Sequence, residues 1–217
     1  MVASQTSASS EDPLIYVTDD ESSVREALGN LFQSVGLRVE LFSSAAEMLE
    51  AAEADHANCL VLDVRLPGIS GLEVQQRLRK LNVEVPVIFM TGHADIPMTV
   101  SAMKAGAVDF LTKPFRDQDM LDAVTAAVTR DRARRAGIER SADIRARFAT
   151  LSSREREVMG LVTRGLMNKQ VAGELGLSEV TVKAYRGQVM RKMGVRSLAE
   201  LVRRAETLGL GDNSPRA

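Results

Sequence analysis

Residues 14–18, LIYVT, form a short apolar run that breaks into Asp19-Asp20-Glu21. Val24, Ala27, Leu28, Leu31, Phe32 and Val35 follow at helical spacing. Residues 38–42 read as a strand, and Ser44 with Glu47 has the form of a capping box before a helix through Ala54. Residues 59–62, CLVL, are continuously apolar and end at Asp63. The turn Pro67-Gly68 then precedes a helix over about 71–81. Residues 85–90 predict a strand that ends at Thr91-Gly92, and a helix follows over about 97–105. Residues 108–111 predict a strand that ends at Lys113-Pro114, and a helix over about 118–128 closes the series.

Strand and helix patterns thus alternate five times in about 120 residues. This predicts an α/β doubly wound fold, a five-stranded parallel sheet with helices on both faces. In such sheets, sites form beyond the carboxyl ends of the strands. Polar groups capable of chemistry stand at these ends: Asp19, Asp20, Asp63, Thr91 and Lys113.

From Leu151 the pattern is all-helical. Ser152 with Glu155 forms a capping box, Val158, Leu161 and Val162 share a face, and Gly165 suits a helix stop. A short helix over 168–175 leads through Gly176-Leu177-Ser178 into a longer one over 179–193. A last helix starts at Ser197, with Glu200 as reciprocal cap. Short helix, glycine turn and longer basic helix make the helix-turn-helix pattern. At 100° per residue, Val182, Tyr185, Val189 and Met193 face inward. Val180, Lys183, Ala184, Gly187 and Arg191 face outward, a small and basic surface that lets the backbone approach a major groove.

The expected organisation is a disordered tail over 1–12, a first domain over 13–130, a partly helical charged linker over 131–147, a second domain over 148–210 and a tail over 211–217. The net charge of −1 conceals an asymmetry. Residues 1–130 carry 10 Lys+Arg against 19 Asp+Glu, and residues 131–217 carry 18 against 10. An acidic half joined to a basic half points to different partners, and the basic half suits nucleic acid. No apolar run approaches the roughly 18 residues that a membrane span needs. The N-terminus has no apolar stretch of a secretory signal. The single cysteine, Cys59, excludes an internal disulfide and reads as a buried thiol. A cytoplasmic location and no membrane contact are expected.

Three carboxylates converge if the first and third strands are neighbours, and they repel unless a cation sits among them. Oxygen ligands of this kind suit a hard ion such as Mg2+. A lysine and a hydroxyl nearby complete a phosphoryl site in which one carboxylate is the nucleophile. The set Asp19-Asp20, Asp63, Thr91 and Lys113-Pro114 resembles the signature of the CheY-like receiver domains of bacterial response regulators. The stretch 91–98, TGHADIPM, with 103–110, MKAGAVDF, is similar to the FixJ subfamily in particular. The resemblance implies Asp63 as phosphoacceptor. It implies Mg2+ held by Asp20, Asp63 and the backbone carbonyl of Arg65, with Asp19 acting through a water. Thr91 and Lys113 would contact the phosphoryl oxygens, Phe110 would be the aromatic that turns inward with Thr91, and Lys113-Pro114 would be cis. His56 and His93 have no expected role.

Residues 151–158, with Asn168-Lys169, Thr181-Val182-Lys183, 189–193 and 197–201, resemble the LuxR/NarL-type four-helix DNA-binding domain. Tyr185 departs from the histidine usual there. The resemblance implies DNA contacts from Lys169, Thr181, Lys183, Ala184, Tyr185, Arg186, Gly187 and Arg191. Base readout is expected from Lys183, Ala184 and Gly187, and phosphate contact from the others. The implied function is a phosphorylation-activated transcription regulator, not an enzyme. Its partners would be a sensor histidine kinase, promoter DNA and a second copy of the chain, dimerising through Val100 and Lys104. An aspartate-nucleophile phosphatase would carry an acid where Arg65 stands. A flavin binder would need a glycine-rich phosphate loop in place of Asp19-Asp20-Glu21. A DNA binder indifferent to phosphorylation is a third reading.

Overall fold

A computed structural model describes residues 12–52, 57–93 and 96–210. The expected tails, the end of the second helix at Ala54, and His56 lie outside these residues, except that Asp12 is described. The chain divides into two compact units, Met1–Arg134 and Arg135–Ala217.

The first unit alternates β1 (Leu14–Thr18), α1 (Ser22–Ser34), β2 (Arg38–Phe42), α2 (Ala45–Ala52) and β3 (Cys59–Asp63). It continues through α3 (Gly71–Lys80), β4 (Val87–Thr91), α4 (Ile96–Lys104), β5 (Asp109–Thr112) and the start of α5 (Asp117–Ala149). The strands are all parallel, in the order β2-β1-β3-β4-β5. β1, β3 and β4 are buried along their whole length, which is why their sequences are unbroken apolar runs rather than alternating ones. Successive side chains still go to opposite faces. Tyr16, Leu60, Leu62 and Phe89 pack with Met48, Val74, Leu78 and Ala102 on one face. Ile15, Val17, Val61, Ile88 and Met90 pack with Leu28, Phe32, Met120 and Val124 on the other. The Cys59 thiol is fully buried in this second layer, and burial pushes its pKa far up, with Asp131 adding to the effect.

The ladder places β4 two residues later than the apolar pattern predicts, because Val85 and Pro86 precede the paired stretch. The larger difference lies in α5. The charge-rich stretch 131–147 is helical throughout rather than partly so, and α5 runs unbroken from Asp117 to Ala149. Its residues are good helix formers, and Arg134–Asp131 and Arg147–Asp143 pair one turn apart at 2.8 Å. Asp131 is fully buried, with Asn58 Nδ2 donating to it at 2.9 Å. Asn58 Oδ1 in turn accepts the Leu14 amide, so α5 is tied to the start of β1.

The second unit packs α6 (Ser153–Thr163), α7 (Asn168–Leu175), α8 (Glu179–Met193) and α9 (Leu198–Thr207) around Val158, Met159, Val171, Val182, Val189, Met193 and Leu201. Ile144 and Phe148, from the end of α5, join this core. The Ser152–Glu155 capping box is present as expected. At α9, Ser197 accepts from the Glu200 amide, but Glu200 reaches back to the amide of Arg196 rather than of Ser197.

Candidate phosphoryl site and DNA-reading helix

The order β1-β3-β4-β5 brings the carboxyl ends of four strands side by side. Asp19 follows β1, Asp63 ends β3, Thr91 ends β4 and Lys113 follows β5. Asp19 and Thr91 are fully buried and Asp63 nearly so, whereas Asp20 is exposed. One carboxylate oxygen from each of Asp19, Asp20 and Asp63 lies within 4.8 Å of the others. Lys113 Nζ donates to Asp19 Oδ2 and to Asp63 Oδ2, each at 2.6 Å. The amide of Arg65 donates to Asp63 Oδ1 at 2.7 Å, and that of Glu21 to Asp19 Oδ1 at 3.0 Å. Asp19 and Asp63 are thus each aimed by a main-chain donor two residues on.

Burial raises the Asp19 pKa, and the negative charge of Asp63 adds to it. The Lys113 hydrogen bond offsets only part of the rise. Burial alone would lower the Lys113 pKa, but its bonds to Asp19 and Asp63 hold it above the ordinary lysine value. One ammonium bonds two of the three carboxylates, and the pocket keeps an excess of negative charge. Such a donor set, all oxygen and strongly anionic, fits a hard divalent cation. Two ligands of one Mg2+ stand at most about 4.2 Å apart, so direct ligation needs these oxygens no further apart than that.

The Thr91 hydroxyl donates to the carbonyl of His93 at 3.1 Å, inside its own loop. Phe110 is half-buried, and its ring lies 6.3 Å from that of Phe89 at a tilted angle. Lys113-Pro114 is cis, as the resemblance implies. On α4, Val100 and Lys104 are exposed. Ile96 and Met103 are exposed beside them, which helical spacing within 96–104 could have shown.

In the second unit, α7 and α8 meet at Gly176, whose φ of +64° makes the left-handed turn. Val182, Val189 and Met193 are buried and Tyr185 half-buried, as the stripe predicts. Lys169, Lys183, Ala184, Gly187 and Arg191 are exposed. Thr181 and Arg186 are already engaged. The Thr181 hydroxyl pairs with Ser178 Oγ at 2.7 Å, and Arg186 Nη1 donates to Asn168 Oδ1 at 2.5 Å. Lys192, which the sequence did not single out, donates to buried Glu155 at 2.7 Å and fastens α8 to the α6 cap. The Lys192–Glu155 pairing itself was not readable, since 37 residues separate the two.

Residues 15–125 match the response regulator receiver domain, and residues 149–205 match the bacterial regulatory proteins of the luxR family. The chain belongs to the two-component response regulators. It is 60% identical over 200 residues to nodulation protein W of Bradyrhizobium diazoefficiens, covering 92% of this chain and 88% of that protein. It is 45% identical over 197 residues to the transcriptional regulatory protein FixJ of the same organism, covering 90% of this chain and 96% of FixJ. The solved structure of the response regulator StyR matches with a TM-score of 0.80 and 48% identity, over 90% of this chain and 98% of StyR. As a response regulator of the FixJ type, the chain joins a CheY-like receiver to a LuxR-type helix-turn-helix. No helix among the described residues is long and apolar enough to cross a membrane.

Proposed function

We propose that this response regulator accepts a phosphoryl group on Asp63 from a partner histidine kinase. The phosphorylated receiver then dimerises and binds promoter DNA sequence-specifically to regulate transcription in the cytoplasm. The observation that carries the reading is the meeting of Asp19, Asp20, Asp63 and Lys113 at one sheet edge. A structural ion pair needs one carboxylate, not three, and it needs no buried hydroxyl at the next strand end.

In the transfer, an Asp63 carboxylate oxygen forms the new bond to phosphorus. The bond from phosphorus to the kinase imidazole nitrogen breaks, and its electron pair returns to the ring. Asp63 Oδ1 is already oriented by the Arg65 amide, which leaves Oδ2 as the reacting oxygen. Lys113 moves one of its donors from Asp63 Oδ2 to a phosphoryl oxygen, which keeps the ammonium beside the charge that arrives. Thr91 turns its hydroxyl from the His93 carbonyl to a second phosphoryl oxygen. Asp20, Asp63 and the carbonyl of Arg65 would hold Mg2+ directly, and Asp19 through a water. Bound there, the ion supplies positive charge that offsets the phosphoryl oxygens.

The Thr91 movement leaves room beside β4, and Phe110, half-buried on β5 against Phe89, fills it. That links the pocket to the exposed α4 face, where Val100 and Lys104 with Ile96 and Met103 form the dimer contact. Two second units on paired half-sites follow from a two-fold receiver dimer. On the DNA, Lys183, Ala184 and Gly187 face the bases, while Lys169, Thr181, Tyr185, Arg186 and Arg191 hold the backbone.

The test is Asp63→Asn, with acetyl phosphate and Mg2+ as donor and ion. Labelling is lost, and beryllofluoride no longer shifts the protein to a dimer or tightens DNA binding. Labelling of the variant at the wild-type rate would overturn the assignment. DNA affinity and size that ignore beryllofluoride in the wild type would favour a DNA binder indifferent to phosphorylation.

A further inference from the structure

Val180 stands in the first turn of α8 and is 79% exposed, the most exposed large apolar side chain among the described residues of the second unit. It contributes nothing to the core that Val182, Val189 and Met193 build from the same helix. A β-branched residue is also a weak choice for an exposed helical position. Its place is nevertheless specific. Val180, Ala184, Gly187 and Arg191 are spaced by four, three and four residues, so they lie along one narrow stripe. Ala184 and Gly187 leave the stripe low, and a methyl group added at Gly187 would meet nothing within 4 Å. Val180 therefore rises at the N-terminal end of an otherwise shallow surface, the end of a recognition helix that contacts base edges.

An isopropyl group can neither donate nor accept a hydrogen bond. In the major groove, the one base feature it complements is the C5 methyl of thymine. Two polar neighbours are engaged within the fold: Thr181 with Ser178, and Arg186 with Asn168.

We infer that Val180 is a specificity-determining residue that reads a thymine methyl in each half-site, beside the bases faced by Lys183, Ala184 and Gly187. This rests on the DNA-binding reading above and adds a base identity to it.

The experiment uses the full chain with beryllofluoride and Mg2+. Binding sites are enriched from a random DNA pool, and each thymine of the winning site is then replaced singly by uracil, which removes only the methyl. At one thymine per half-site, wild-type affinity falls about three- to five-fold, the worth of one buried methyl group. Val180→Ala binds more weakly and is indifferent to uracil at that position alone, while Val180→Ile keeps the preference. The exposure of Val180 makes both variants compatible with the fold, and circular dichroism checks this. A uracil profile identical in wild type and Val180→Ala overturns the inference alone. Failure of the wild type to enrich any sequence overturns the DNA-binding reading and this inference with it.

Discussion

Gly71 opens α3 directly behind the proposed phosphoacceptor. Its amide donates to the Val64 carbonyl at 2.9 Å, which holds the start of the helix against the end of β3. A Cβ at Gly71 would lie 2.6 Å from the main-chain oxygen of Asp63, and 3.2 Å from both Val64 Cα and a Phe89 ring carbon. An ordinary carbon–oxygen contact is about 3.3 Å, so Gly71→Ala must push helix and strand apart by about 0.7 Å. Neither obstacle at the strand is a flexible side-chain tip, and Phe89 is fully buried, so the strain is not relieved locally. Overpacking of this kind costs about 1–3 kcal/mol, less the few tenths that alanine gains as a helix former. The receiver should unfold about 0.5–1 M earlier in urea, at an m-value of about 2 kcal/mol/M.

The same displacement disturbs the placement of the Asp63 carboxylate relative to Lys113. A 1 Å misplacement can cost about a hundred-fold in rate, so acetyl-phosphate labelling should slow about ten-fold or more. Gly137→Ala is the control. It lies in exposed helix with nothing within 4 Å of an added Cβ, and it should stabilise α5 by about 0.5–1 kcal/mol. Gly71→Ala with a wild-type urea midpoint and labelling within two-fold of wild type would refute the packing argument.

Asp19 and Glu155 should respond to pH with opposite signs. Burial raises the folded Asp19 pKa, so its contribution to stability is present below about pH 4 and is lost as pH rises through the folded value. Asp19→Asn should therefore melt higher than wild type at pH 7, with the gap closing towards pH 4. A lower melting temperature at pH 7 would mean that the Lys113 bond outweighs burial. The Lys192 bond and the Ser152 amide lower the folded Glu155 pKa, so its contribution is present above about pH 4.3 and is lost as pH falls through the folded value. Glu155→Gln keeps an acceptor for the Ser152 amide but loses the ion pair, and should cost about 1–2 kcal/mol in the second unit at pH 7. Urea unfolding followed on both units separates the two effects, and a Glu155→Gln loss that persists unchanged at pH 3 would contradict this account.

What could be read along the chain was local. β1, β3 and β4 announce themselves because burial on both faces demands unbroken apolar runs, and the polar residue at each strand end marks the site edge. The caps at Ser152 and Ser178 are readable because donor and acceptor lie three residues apart. Long-range pairing left no such trace. Buried Asp131 meets Asn58 across 73 residues, and nothing near either residue marks it for burial. The full length of α5 was hidden for a different reason. Its second half lacks the wide apolar face by which helices are recognised, and it is held instead by pairs one turn apart, by Ile144 and Phe148, and by contacts from beyond the helix such as Arg156 to the Ala149 carbonyl.

The two halves of the molecule use charge in opposite ways. In the second unit, the buried carboxylate is matched: Glu155 has Lys192 and two cap donors, and its charged form is the stable one. In the receiver, buried Asp131 is matched by Arg134 and Asn58, but the buried carboxylate of the strand-end pocket is matched only in part. Asp19 shares one lysine with Asp63, and its charged form is held at a disadvantage. A fold under pressure for stability alone would replace Asp19 with an apolar residue, since β1 is otherwise buried along its length. Retaining it fits the proposal that a cation binds there. The same logic fits Lys113 as a bridge rather than a pair: an ammonium shared between two carboxylates can turn to a third anion while keeping its bond to Asp19. The pocket is thus less stable than its surroundings permit, and that deficit is what a bound cation, as proposed above, would repair.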